Sequence, residues 1–168
     1  MGILNDQFIG TVSYTKQLDN GALKRVKEDY LVHEHTFGAA EESLYHWLDE
    51  VIRGEFNVVG IKRGEFEDII ISDDDAGTFF EMTAKYEGLD SDSGKAKTSK
   101  HKFLITAYDL EDATGRLKTH LVEIYGPTVE VISGKVSPIW EEFQRMPSEE
   151  ERTAMRIKKR KEKQDEED

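Results

Sequence analysis

Hydrophobic positions along this chain follow two periods, and the order in which the periods alternate is written twice. Phe8, Val12 and Tyr14 fall on one face of an extended segment and Thr11, Ser13 and Thr15 on the other, the period-two pattern of a half-buried strand. Asp19-Asn20-Gly21 then predicts a tight hairpin turn, since Asn and Gly tolerate positive φ, and Tyr30 and Val32 resume the inward alternation on a second strand. The period lengthens at Ala40, Leu44, Trp47, Leu48 and Val51, which predicts a helix with Gly54 placed to end it. A β-branched third strand over 56–61 and the apolar piece FEDIII complete the series.

Placing Phe8 on Phe80 brings Thr11 onto Thr83 and Tyr14 onto Tyr86. One extra residue in the second turn then brings Tyr30-Leu31-Val32 onto Phe103-Leu104-Ile105, and Ala40, Leu44 and Leu48 onto Ala113, Leu117 and Leu121. In the second copy Phe80, Met82, Ala84 and Tyr86 take the inward face, the turn spans Asp90 to Gly94, and Gly126-Pro127 stops the helix. A third strand follows over 128–132, and then the apolar piece IWEEF. The fold class is therefore α+β: tandem duplicated ββαβ units, with antiparallel sheet packed against one helix per repeat. One such unit hides only one face of a small sheet, so the two must pack together or share a sheet. The expected organisation is a first repeat over 1–72, an acidic linker over 73–78, a second repeat over 79–144 and a charged tail over 145–168.

That tail has a different pattern. Ser148 to Glu151 reads as a capping box, and RIKKRKEK places basic residues toward the negative end of a helix with almost no apolar face. A solvated helix fraying into a disordered QDEED end is expected.

Composition narrows the chemistry. There is no cysteine among 168 residues, which removes disulfides, thiol catalysis and thiolate metal sites. No apolar run approaches the ~20 residues needed to span a bilayer, and the start lacks signal-peptide character, so a soluble cytoplasmic protein is expected. The net charge is -12. The tail's basic and acidic residues cancel, so the excess lies in the repeats and argues against a uniformly basic surface.

Charge nevertheless concentrates locally. Lys24, Arg25 and Lys27 occupy the rising arm of the first hairpin, and Lys95, Lys97, Lys100 and Lys102 that of the second. The same arm is basic in both copies of an acidic protein, which suits phosphate contacts; the alternative is lysines that guard an edge strand from aggregation. Tyr14, Tyr86 and Tyr108 are candidate stacking platforms for bases, with Tyr14 and Tyr86 equally suited to be core residues. His33, His35 and His46 could supply imidazoles to a metal, with His33 and His35 on one face of a strand, but no carboxylate is committed to the set. Acid pairs such as Glu41-Glu42 and Glu141-Glu142 read as solvated faces, and nothing matches a phosphate-binding glycine loop or nucleophile elbow. No enzyme activity, cofactor or metal is expected.

Tyr14, Lys16, Leu18, Asn20-Gly21, Lys24, Val26, Glu28, Tyr30-Leu31-Val32, Thr36-Phe37 and Ala40-Glu41 keep a spacing that resembles an uncharacterised domain family of Bacteroidetes and their phages. That resemblance covers most of the chain up to Phe143 and brings no catalytic residues with it. The layout, a basic aromatic-bearing β domain followed by an acidic tail, is also similar to phage single-stranded DNA-binding proteins, although this tail ends in Asp168 rather than an aromatic residue. It implies a replication or recombination accessory that binds single-stranded DNA or RNA through the basic hairpins, with a tail that regulates access and recruits replication partners. The competing expectation is a phage protein-interaction module that binds or inhibits a host protein through its acidic surface. Homo-oligomerisation is left open by the sequence.

Overall fold

The computed structural model describes residues 6–89, 92–145 and 149–167. The first repeat runs β1 (Gln7–Gln17), β2 (Leu23–His33), α1 (Phe37–Val51), β3 (Phe56–Arg63) and β4 (Asp68–Ile70). The second runs β5 (Thr78–Leu89), β6 (Ala96–Ala107), α2 (Leu110–Tyr125), β7 (Glu130–Val136) and β8 (Ile139–Phe143), and α3 (Glu149–Glu167) follows. Local chemistry sets the boundaries. Thr36 caps α1 by accepting from the Ala39 N–H at 3.1 Å, and Asp109 caps α2 by accepting from the Asp112 N–H at 2.7 Å. Gly21 and Gly94 hold positive φ of 81° and 67° in the two hairpin turns. Asp90, expected to open the second turn, and Ser148, expected to cap the tail helix, lie outside the described residues.

The duplication is repeated at the level of register. The β1–β3 pairing slips between Thr11 and Val12, and the β5–β7 pairing slips between the equivalent Thr83 and Ala84. The Gly64 N–H donates to the Gln7 carbonyl at 2.8 Å, and Ser137 makes the same bond to the Phe79 carbonyl at 2.8 Å.

The last short strand of each repeat joins the other repeat's sheet. The orders are β3-β1-β2-β8 and β4-β6-β5-β7, with β8 parallel to β2 and β4 parallel to β6. FEDIII and IWEEF are thus the pieces through which the repeats interlock. Each sheet carries its own helix on one face: Phe8, Val12, Tyr30 and Val32 pack under α1, while Phe80, Met82, Phe103 and Ile105 pack under α2. The opposite faces meet through Ile9, Leu31, Phe66, Phe79, Leu104 and Ile139. Layers therefore stack as helix, sheet, sheet, helix.

Sheet-to-sheet contact is confined to one end of each hairpin, because the next back-face positions are polar. Thr11 Oγ1 donates to Asp29 Oδ1 at 2.6 Å, and Arg25 Nε donates to Ser13 Oγ at 3.0 Å. The Glu67 N–H donates to the Lys102 carbonyl at 2.7 Å, so the Gln7–Glu67 crossing sets the end of the first sheet beside the middle of β6. Ile139 pairs with Asp29 just after Ser137 bonds Phe79, which sets the end of the second sheet beside the middle of β2. Both relations hold together only when the two hairpins leave the shared core in opposite directions.

The tail differs from expectation at its end. α3 continues through Gln164–Glu167 rather than fraying there, with Lys158 and Glu162, and Lys161 and Asp165, at the four-residue spacing that supports an exposed helix. Its described side chains are all exposed. Among the described residues, no helix is long and apolar enough to cross a membrane.

Candidate functional site

Each of the two repeats leaves open a recess that the other fills. In the first repeat the recess is about 370 Å³ and is lined by Tyr14, Lys16, Glu28, Tyr30, Arg53 and Trp140. Glu28 holds two phenols there: Tyr14 donates to Oε1 at 2.9 Å and Tyr30 to Oε2 at 2.6 Å. Burial first, and the Glu28 carboxylate second, push the Tyr14 hydroxyl up to about 12 and raise that of Tyr30 as well. Tyr14 is half-buried at the recess, whereas Tyr30 is buried and stacked on Phe143.

Trp140 stands at the mouth of this recess and is 61% exposed. It is the residue skipped in the β2–β8 pairing, where the register shifts between Asp29 and Tyr30, so it has no register partner on β2. The Lys16 Nζ lies 5.4 Å from its ring centroid, within cation–π range. Lys24 pairs with Lys16 across the hairpin, so both ammonium groups share this face. An open indole with Lys16 over its ring and Arg53 in the same recess is an arrangement that can stack on a planar base and contact its phosphates. No period in the sequence singles out Trp140, Lys16 or Arg53: the register shift after Ile139 breaks the alternation of IWEEF, with Ile139 between the sheets and Phe143 under α1.

In the second repeat the equivalent space is closed. Tyr86 is buried, with one ring face on His101 at 4.6 Å between centroids and the other on Tyr125 at 3.8 Å. Its hydroxyl donates to Glu67 Oε1 at 3.1 Å, and burial with these partners raises its pKa. Tyr86 is thus a core residue whose faces are both covered, so of its two readings the core one holds and no face is left to stack on a base. Tyr14 also packs against the core but lines the open recess. Tyr108 is exposed and far from either hairpin turn in the chain's register, at the start of α2, where the Arg116 guanidinium lies 5.4 Å from its ring centroid.

The seven basic hairpin residues are all exposed but do not converge. Lys24 lies on the Trp140 side, whereas Arg25 turns to the opposite face and donates to Ser13, with Lys27 opposite Ser13 on that same face. Lys95 precedes β6 and Lys97 pairs with Gly88 near the tip of the second hairpin. Lys100 pairs with Lys85, and Lys102 lies 4.0 Å from Glu65 and lines shallow recesses with Lys62 and Lys135. With the hairpins opposed in direction, each basic arm is a separate surface.

The histidines also go separate ways. β2 ends at His33, whose Nε2 lies 2.7 Å from Glu142 Oε1; His35, beyond the strand, meets Asp6, and His46 packs edge-on against Trp47. Among the described residues no three His, Asp or Glu side chains form a metal-holding group.

The second open recess lies in the second repeat between α2 and β4. It measures about 860 Å³, with Ile70, Ile105 and Thr106 as its floor and Asp109, Glu111, Asp112, Arg116, His120 and Glu123 around it. Arg116 is occupied at this rim: its NH2 lies 2.9 Å from Asp74 Oδ2 and its Nε 2.9 Å from Asp112 Oδ2. Its hydrogen bond first, and Ser72 second, hold the Asp74 carboxyl down to about 2. In the first repeat the equivalent space is filled by Trp47, stacked on Phe143 at 6.0 Å with its indole N–H donated to the Gln144 carbonyl at 3.0 Å.

Residues 7–144 match a family model described as a domain of unknown function (DUF4494). No curated protein matches the chain.

Proposed function

The chain belongs to the DUF4494 family, whose domain spans residues 7–144, and from that premise we propose that it is a non-enzymatic single-stranded nucleic-acid-binding protein, a phage-type accessory of replication or recombination. The observation that supports this reading is the exposed Trp140 with the Lys16 ammonium 5.4 Å from its ring centroid, Arg53 in the same recess and Lys24 paired with Lys16 across the hairpin. A base stacks on the indole, Tyr14 walls the recess, and the cations neutralise flanking phosphates. Arg25 and Lys27 continue the positive charge around the hairpin onto its other face. The lysines of the second hairpin form a separate surface at the opposite end, available to a strand long enough to reach it. In this reading the acidic end of α3 competes with the nucleic acid for the cations.

Anisotropy of a labelled oligo-dT tests the reading. Engagement of Lys16, Lys24, Arg25 and Arg53 gives a slope of log affinity against log salt of about -3, at roughly 0.7 per phosphate neutralised on a single strand. Removing residues 164–168 tightens binding. Absence of binding at low salt, with the tail intact or removed, overturns the proposal.

A further inference from the structure

We propose that the open recess between α2 and β4 is a docking site for a basic peptide segment of a partner protein, one that inserts an aromatic side chain. This surface lies in the second repeat and is independent of the nucleic-acid reading, which concerns the first.

The internal duplication provides the first argument. In the first repeat, the helix residue Trp47 fills the gap between helix and exchanged strand, and its ring lies over Phe143 with 13° between planes. Phe143 is in turn stacked on Tyr30 at 5.5 Å. The second repeat keeps the backbone of that gap, with β4 parallel to β6 as β8 is parallel to β2. It has His120 where the first has Trp47, and Ile70 where the first has Phe143. His120 turns to Asp68 at 3.2 Å, and about 860 Å³ is left open over Ile70 and Ile105. A fold that closes this gap with stacked rings in one copy has room for an inserted ring in the other.

Charge provides the second argument and sets the ligand's sign. Asp109, Glu111, Asp112 and Glu123 surround the recess, and the one guanidinium there is already engaged by Asp74 and Asp112. Glu111 and Glu123 have no ion-pair partner among the described residues. An anionic strand is repelled here, whereas lysine or arginine flanking an aromatic residue meets carboxylates on both sides. The apolar floor accepts the ring, and the acidic rim selects what accompanies it.

The test uses the full chain and blocked pentapeptides with a central Trp, Phe, Leu or Ala, flanked either by Lys or by Glu. Binding is read by amide chemical shifts. The Lys-flanked Trp and Phe peptides are expected to saturate with shifts at Gly115, Thr119 and His120, and to bind at least tenfold more tightly than the Ala or Glu-flanked ones. His120→Trp, which copies the first repeat, retains the fold by circular dichroism and loses the peptide at least tenfold. Glu111→Gln with Glu123→Gln weakens binding and flattens its salt dependence. The proposal is overturned if no peptide of the set saturates, if His120→Trp binds unchanged, or if oligo-dT perturbs the same amides in place of the peptides.

Discussion

Gln7 and Phe66 exchange two hydrogen bonds: the Gln7 Nε2 donates to the Phe66 carbonyl at 3.0 Å, and the Phe66 N–H donates to Gln7 Oε1 at 3.1 Å. Gln7 is 2% exposed, so its side-chain amide does for the crossing between sheets what a neighbouring strand would otherwise do. Replacing it by leucine removes both of these buried hydrogen bonds. The expected loss is about 1–3 kcal/mol, from roughly 0.5–1.5 per hydrogen bond removed, read as a lower urea midpoint with an unchanged slope.

Gly10 and Gly134 mark the same close approach from opposite strands. Gly10 pairs with Ile61 in the first repeat, while Met82 pairs with Gly134 in the second, so the large and small residues trade places. A Cβ on Gly10 would collide with Leu44, which is fully buried; one on Gly134 would meet Met82 and Leu110. Gly10→Ala is expected to cost about 1–3 kcal/mol by overpacking, and less in a Leu44→Ala background. Gly134→Ala costs less than Gly10→Ala, because the Met82 thioether has rotamers to yield into. Thermal denaturation of the four variants measures the order.

Stacking and charge separate cleanly at the first hairpin. Trp140→Ala is expected to weaken oligo-dT binding by about 1–3 kcal/mol, the usual worth of a stacked base, without changing the salt slope. Lys16→Ala lowers the slope by about 0.7 while leaving other contacts in place. Anisotropy titrations at several salt concentrations distinguish the two, and a Trp140→Ala variant that binds as the parent does removes the stacking role.

Acid titration reports the Arg116 cluster. The Asp74 carboxyl is lowered to about 2 from the ordinary 3.8, chiefly by Arg116 and then by Ser72. Its stabilising share is therefore complete above the ordinary value and is lost as the pH falls toward about 2. Carbon-detected magnetic resonance of the side-chain carboxyl is expected to show that low midpoint. Arg116→Leu moves it back up toward 3.8.

The alternation of Phe8, Val12 and Tyr14 and the helical spacing of Ala40, Leu44 and Leu48 were enough to read strands, helices and duplication, because burial against a helix imposes those periods directly. Ile9, Leu31, Phe79 and Leu104 sit one residue out of phase with that face, and their burial depends on a second sheet that no local period announces. FEDIII and IWEEF have the same character whichever sheet they join, so the exchange of β4 and β8 is a property of the assembled chain. The opposed hairpins follow from that exchange. For the same reason the lysine runs were legible as basic, while Trp140 and Lys16, brought together from β8 and β1, were not legible as neighbours. Tyr86 and Tyr14 look alike in sequence; Tyr125 closing over one and Trp140 standing away from the other decides between core and surface.

The segment from Asp73 to Gly77 joins the repeats by a single covalent path, but β4 and β8 cross between them in both directions. Withdrawing either half would uncover a sheet edge on the half left behind and expose Leu31 or Leu104 to water. A protease nick in that segment therefore leaves two fragments that remain clasped and melt together. The cut severs the chain but not the molecule.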